Sequence, residues 1–132
     1  MKLPQYEIIL FVADQQKSRD FYSSVLQMNP ELDVPGMTEF MLTGGLKLGL
    51  MPENGIARIL SDQTPHPKTG NGIPRCELYL LLDNVDEAYE RALKAGAKEI
   101  SKIQDRDWGD AVGYLSDPDG HLIAFAKRIS NF

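Results

Sequence analysis

The segment Glu7-Ile8-Ile9-Leu10-Phe11-Val12-Ala13-Asp14 returns 70 residues later as Glu77-Leu78-Tyr79-Leu80-Leu81-Leu82-Asp83-Asn84. Each copy is an apolar strand opened by a glutamate, closed by Asp14 or Asn84, and followed at once by a stretch of helical period. A repeated strand-helix unit constrains the chain to two copies of one module, and two such copies build one shared cavity. At 132 residues the chain has the length of one compact domain and is too short for two autonomous ones.

Both copies continue in the same way. After the first strand, Asp14 can cap a helix over Gln15 to Leu26 whose Phe21, Tyr22, Val25 and Leu26 follow the spacing of one packed stripe, ended by Asn29-Pro30. Strands are expected over Glu31 to Val34, Thr38 to Leu42 and Leu46 to Met51, separated by Pro35-Gly36 and Gly44-Gly45. In the second copy a strand over Glu77 to Leu82 leads to Asn84 as cap and a helix near Val85 to Ala95, with Ala88, Ala92 and Leu93 inward and Gly96 as its stop. Strands follow near Lys98 to Lys102, Val112 to Ser116 and Leu122 to Lys127, the last two joined by the turn Asp117-Pro118-Asp119-Gly120. The order in both is β-α-β-β-β. The expected organisation is a single α+β domain, with module 1 over about 5–60, a connector over 61–75 and module 2 over about 76–130. The connector's Pro65, Pro67, Gly70, Gly72 and Pro74 suit an extended segment.

Composition narrows the function. A net charge of −5 without clustered Lys and Arg argues against nucleic acid. No 18-residue apolar stretch exists, and Pro4 and Glu7 stand where a signal peptide needs its apolar run, so neither membrane nor secretion is expected and the cytoplasm is the default. The single Cys76 fits a reducing compartment and reads as a small core residue rather than a reactive thiol.

The run Gly113-Tyr114-Leu115-Ser116-Asp117-Pro118-Asp119-Gly120-His121-Leu122-Ile123, preceded by Trp108-Gly109-Asp110, resembles the closing hairpin of the glyoxalase/bleomycin-resistance/extradiol-dioxygenase group, the vicinal oxygen chelate superfamily. Val12-Ala13-Asp14 with Ser18 and Phe21-Tyr22 is similar to the family's opening, and Asp83-Asn84-Val85-Asp86 and Ala95-Gly96-Ala97 extend the likeness over nearly all of the chain except the connector. The resemblance implies two βαβββ modules forming a curled mixed sheet around a cleft, commonly completed by dimerisation. It also implies four places that hold a divalent ion in metal-dependent members. Here those places read Glu7, about Gly49, Glu77 and Ala124. Two of the four carry no donor, so the family's metal site is not reproduced. No cofactor is expected; a divalent metal held by the two carboxylates through waters is the alternative.

Strand parity puts Glu7, Ile9 and Phe11 on one face, and Ile8, Leu10 and Val12 on the other; both faces are mostly apolar, so the strand is expected to be buried on both sides. If both glutamates begin equivalent strands of one curved sheet, they point to its concave side together with Ile9, Phe11, Tyr79 and Leu81. An apolar cleft with two acids suits a ligand with an aromatic or aliphatic body and a cationic or hydrogen-bond-donating group. The alternatives are pairing of the glutamates with Lys47, Arg75 or Arg106, or proton transfer between close carboxyls. Trp108 either walls the cleft or packs on the core. Gly49 and Ala124 are small residues that leave volume for a bulky ligand. His121 has the wrong parity for the cleft, and His66 reads as a surface residue of the connector. The expected ligand contacts are Glu7, Ile9, Phe11, Gly49, Glu77, Tyr79, Trp108 and Ala124, in a homodimer that binds or sequesters a small molecule such as an antibiotic or toxin; no catalytic residue is assigned. The alternatives are a metal-dependent lyase, isomerase or dioxygenase resembling lactoylglutathione lyase, and an interaction module whose cleft is vestigial.

Overall fold

A computed structural model describes residues 5–130. The chain divides into two compact units, one ending at Asn71 and the other beginning at Gly72. The first holds β1 (Tyr6–Val12), α1 (Gln15–Leu26), β2 (Leu32–Val34), β3 (Met37–Thr43), β4 (Leu46–Pro52) and α2 (Glu53–Leu60). The second holds β5 (Glu77–Leu81), α3 (Val85–Lys94), β6 (Lys98–Asp105), β7 (Asp110–Ser116) and β8 (Leu122–Arg128). Each unit forms its own four-stranded mixed sheet, in the orders β1-β4-β3-β2 and β5-β8-β7-β6. The opening strand pairs in parallel with the closing one, Glu7 opposite Lys47 in one sheet and Glu77 opposite Leu122 in the other, while the remaining pairs are antiparallel. The repeat is therefore structural, and the α+β class and the two βαβββ modules are as expected. The two glutamates begin strands of separate sheets rather than of one.

Each sheet buries the face that carries its helix. In the first, Leu10 and Val12 of β1, Leu48 and Leu50 of β4 and Phe40 of β3 pack with Phe21, Tyr22 and Val25 of α1. Thr38 shares that face, and its hydroxyl donates to Asp33 Oδ1 and accepts from Gln15 Nε2, so a fully buried polar group is satisfied. In the second, Ile123 and Phe125 of β8 and Leu115 of β7 face Val85, Ala88, Tyr89 and Ala92 of α3. Tyr89 meets Phe125 edge-on with ring centroids 6.1 Å apart. Gly113, opposite Phe125, permits this approach: a Cβ there would lie 2.6 Å from Ile103 Cγ1 and 2.7 Å from Tyr89 Cε2.

Four expectations need correction. β1 is not buried on both sides: Ile9 is exposed and Glu7 and Phe11 are only partly covered. Cys76 is exposed, since it lies in the irregular segment before β5 rather than in the sheet. The connector is not simply extended but contains short 3₁₀ turns at Ser61–Gln63 and Pro67–Gly70. His66 fixes it, accepting the Lys68 N–H on Nδ1 at 3.2 Å and donating from Nε2 to Asn54 Oδ1 at 2.9 Å. Helix α2, which has no counterpart in the sequence reading, supplies that Asn54; Asn54-Gly55 are weak helix formers that hide it. Among the described residues no helix is long and apolar enough to cross a membrane.

The two repeated caps are not equivalent. Asp14 accepts the Lys17 N–H at 3.0 Å, whereas the Asn84 side chain makes no cap bond. α3 instead carries Asp86 and Glu87 in its first turn and Arg91 and Lys94 in its last, which complement the helix dipole. Asp14→Ala is expected to lower stability by about 1 kcal/mol, and Asn84→Ala by less than about 0.5 kcal/mol, as read from urea unfolding of each variant.

Candidate functional site

On the face of the first sheet turned away from α1, the repeat and the ladder bring together Glu7, Glu39, Lys47 and Gly49. Glu39 and Ile9 both stand opposite Gly49, and Glu7 opposite Lys47. A Cβ at position 49 would collide with Glu7 Oε2 and lie 3.0 Å from Ile9 Cγ1. Glycine is thus what lets the Glu7 carboxyl lie down on the sheet, and the volume expected there for a ligand is filled by Glu7 itself. Lys47 pairs with Glu39 at 3.5 Å and Glu31 at 3.7 Å, not with Glu7. Glu7 Oε2 is buried without a donor facing it. Desolvation, then a hydrogen bond to Glu39 and that residue's charge, push the Glu7 carboxyl up to about 7 against the opposing pull of Lys47.

On the face of the second sheet turned away from α3, Val112, Ala124 and Ala126 form a buried cluster against which Tyr79 and Tyr114 pack. Ala124 is fully buried and opposite both tyrosines in the ladder, so it offers no volume to a ligand. Beside this cluster runs a hydrogen-bonded chain. Trp108 Nε1 donates to the Tyr79 hydroxyl at 2.8 Å, Tyr79 donates to Asp110 Oδ2 at 2.6 Å, and Arg128 Nε donates to Asp110 Oδ1 at 2.6 Å. Asp110 is 2% exposed and Trp108 50% exposed. The Tyr79 hydrogen bond, and then Arg128, hold the Asp110 carboxyl below its ordinary range despite its desolvation. Desolvation, and then Asp110, raise the Tyr79 phenol, while the Trp108 indole works the other way. The turn that carries Trp108 is tied down by the Ile129 and Ser130 amides, which donate to Gly109 O at 2.9 and 3.2 Å.

Of the expected contacts, Tyr79 and Trp108 are brought together directly, while Glu7, Ile9 and Phe11 share a face of the first sheet. Glu77 is exposed and stands outside the Trp108 chain, six residues along β8 from Arg128, roughly 20 Å at the rise of a strand. Gly49 and Ala124 are structural. Glu39, Asp110 and Arg128 carry the electrostatics and were missed. Glu39 was legible as a charge inside an apolar strand, and Asp110 as a residue two positions before Val112 on its face. Arg128 lies one residue past the expected end of its strand.

Of the four places that the resemblance implies for an ion, two carry carboxylates, Glu7 and Glu77, and two do not. Gly49 and Ala124 have no donor, the first lies beneath Glu7, and the second is sealed by packing. A different group, Asp117, Asp119 and His121, brings three donor atoms within 4.8 Å of one another in the β7–β8 turn. Asp117 Oδ1 already accepts the Asp119 and His121 amides at 2.9 and 2.8 Å, which builds the turn.

Because Glu7 binds its proton more tightly folded than unfolded, the folded state loses stability as pH rises from about 4.5 to about 7. Glu7→Gln is expected to flatten that part of the stability profile and to stabilise the protein above pH 7 relative to the parent. Urea midpoints measured across this window decide it; an unchanged slope in the variant contradicts the assignment.

Comparison with known proteins agrees with this architecture. The family model described as Glyoxalase/Bleomycin resistance protein/Dioxygenase superfamily matches residues 3–125. An uncharacterized protein of Mycobacterium bovis is 30% identical over 128 residues, covering 91% of this chain and 80% of its own. One from Bacillus subtilis is 30% identical over 132 residues, covering 98% and 100%. Among solved structures, a glyoxalase-related enzyme from Fulvimarina pelagi superposes with a TM-score of 0.80 at 21% identity, over 96% of this chain and 89% of that one. A glyoxalase/bleomycin resistance protein/dioxygenase family enzyme from Burkholderia phytofirmans gives 0.76 at 18% identity, over 92% and 96%. At these identities the structural likeness is one of fold, and with the family match over nearly the whole sequence it places this chain in the glyoxalase/bleomycin resistance protein/dioxygenase superfamily.

Proposed function

We propose that this member of the superfamily binds a small organic molecule, as a homodimer, and acts by sequestering it in the manner of an antibiotic- or toxin-binding protein. The observation that carries the reading is Trp108. A half-exposed indole is held by its N–H on Tyr79, which is held in turn by a buried carboxylate. An aromatic surface fixed in advance binds a flat or apolar body at little entropic cost. Tyr79 extends this surface, and Glu77 is available to a cationic group on a ligand long enough to reach it. The lack of donors at Gly49 and Ala124 supports binding over metal-dependent turnover.

The test is a thermal-shift screen of aromatic compounds, neutral and charged, followed by titration of each hit. Trp108→Ala is expected to weaken every hit by about tenfold or more, and Glu77→Gln to weaken only the cationic ones. Hits indifferent to Trp108→Ala overturn the reading. So does stoichiometric retention of a divalent metal together with metal-dependent turnover.

A further inference from the structure

The face of the second sheet that carries Trp108 holds two arginines, and they use their guanidinium groups differently. Arg106 donates from Nε and Nη2 to Val112 O at 3.2 and 3.0 Å. From Nη2 it also reaches Ser101 Oγ at 3.0 Å and Lys102 O at 3.2 Å, and it lies 5.3 Å from the centre of the Tyr114 ring. Its Nε and Nη2 are taken up in joining β6 to β7. Arg128 donates from Nε alone, to Asp110, and its side chain is 57% exposed. Among the described residues its Nη1 and Nη2 meet no acceptor.

What distinguishes Arg128 from an ordinary surface arginine is how it is held. Asp110 stands directly opposite it in the β7–β8 ladder. That carboxylate is 2% exposed, and its second oxygen is taken by Tyr79. Asp110 therefore fixes the guanidinium through one edge and leaves the other edge, four N–H donors on two nitrogens, turned to solvent. A guanidinium anchored in this way has already lost much of its rotamer freedom, and its Nη edge matches the planar, two-oxygen geometry of a carboxylate. Tyr79 connects Asp110 to the Trp108 indole through hydrogen bonds of 2.6 and 2.8 Å, so the oriented cation and the oriented ring belong to one rigid assembly. Lys127, the adjacent charge on β8, has the opposite parity and points away from it.

We propose that the Nη edge of Arg128 recognises a carboxylate on the ligand whose ring or apolar body lies against Trp108. The proposal rests on the ligand-binding reading above and adds the charge class of the ligand. Naphthoate and naphthamide, equal in ring and nearly equal in size, separate the two. Each is titrated into the intact protein and followed at the indole N–H resonance of Trp108. Naphthoate is expected to bind about tenfold or more tightly than naphthamide, the discrimination a charge-assisted bidentate pair supports. Arg128→Gln is expected to bring naphthoate to the level of naphthamide on that same variant, and Arg128→Lys, which keeps the charge but not the fork, to retain a smaller preference. Equal binding of the two probes by the parent protein overturns the carboxylate assignment and leaves the binding reading standing. A preference that survives Arg128→Gln overturns it as well. If neither probe perturbs Trp108, both readings fall together.

Discussion

A buried carboxylate demands partners, and Asp110 is where the second module meets that demand. It is the most deeply buried acid among the described residues, and each of its oxygens accepts one hydrogen bond, from Tyr79 and from Arg128. Removing either donor would strand a charge in a desolvated position. The consequence reaches beyond stability. Satisfying Asp110 orients the Tyr79 hydroxyl so that it accepts from Trp108, and it pins Arg128 by Nε so that only the Nη edge is left outward. Two exposed features of this face are thus set by a buried carboxylate.

The first module meets the same problem with the opposite solution. Glu7 opens β1 as Glu77 opens β5, but its carboxyl lies over Gly49 against Glu39, and the nearby cation, Lys47, is engaged with Glu39 and Glu31. Without a counterion of its own, Glu7 holds a proton to higher pH instead. Asp110 is held below its ordinary range because two donors converge on it; Glu7 is pushed toward neutrality by desolvation and then by a second acid, Glu39. Two copies of one βαβββ plan therefore present chemically different faces. Their shared lack of side-chain donors at Gly49 and Ala124 separates both from the superfamily's metal-dependent pattern.

The architecture was legible because it rests on local rules. The 70-residue echo, the cap at Asp14, the α1 stripe of Phe21, Tyr22 and Val25, and the stop at Gly96 each depend on residues within one turn or one strand. The same reasoning failed where partners come from afar. Cap chemistry at Asn84 looked like that at Asp14, but the α3 end charges do the work there. Gly49 and Ala124 looked like room for a ligand, yet the occupant of the first is Glu7, 42 residues away in sequence, and the second lies beneath Tyr79 and Tyr114.

The sequence by itself determined the two modules and the β-α-β-β-β order shared by both, because periodicity, capping and turn chemistry are carried by neighbouring residues. Only the tertiary structure decided what the charges do. Tyr79 donates to Asp110 across 31 positions and Arg128 across 18, and which acid finds a donor, a cation or another acid is set by ladder register rather than by anything adjacent in the chain.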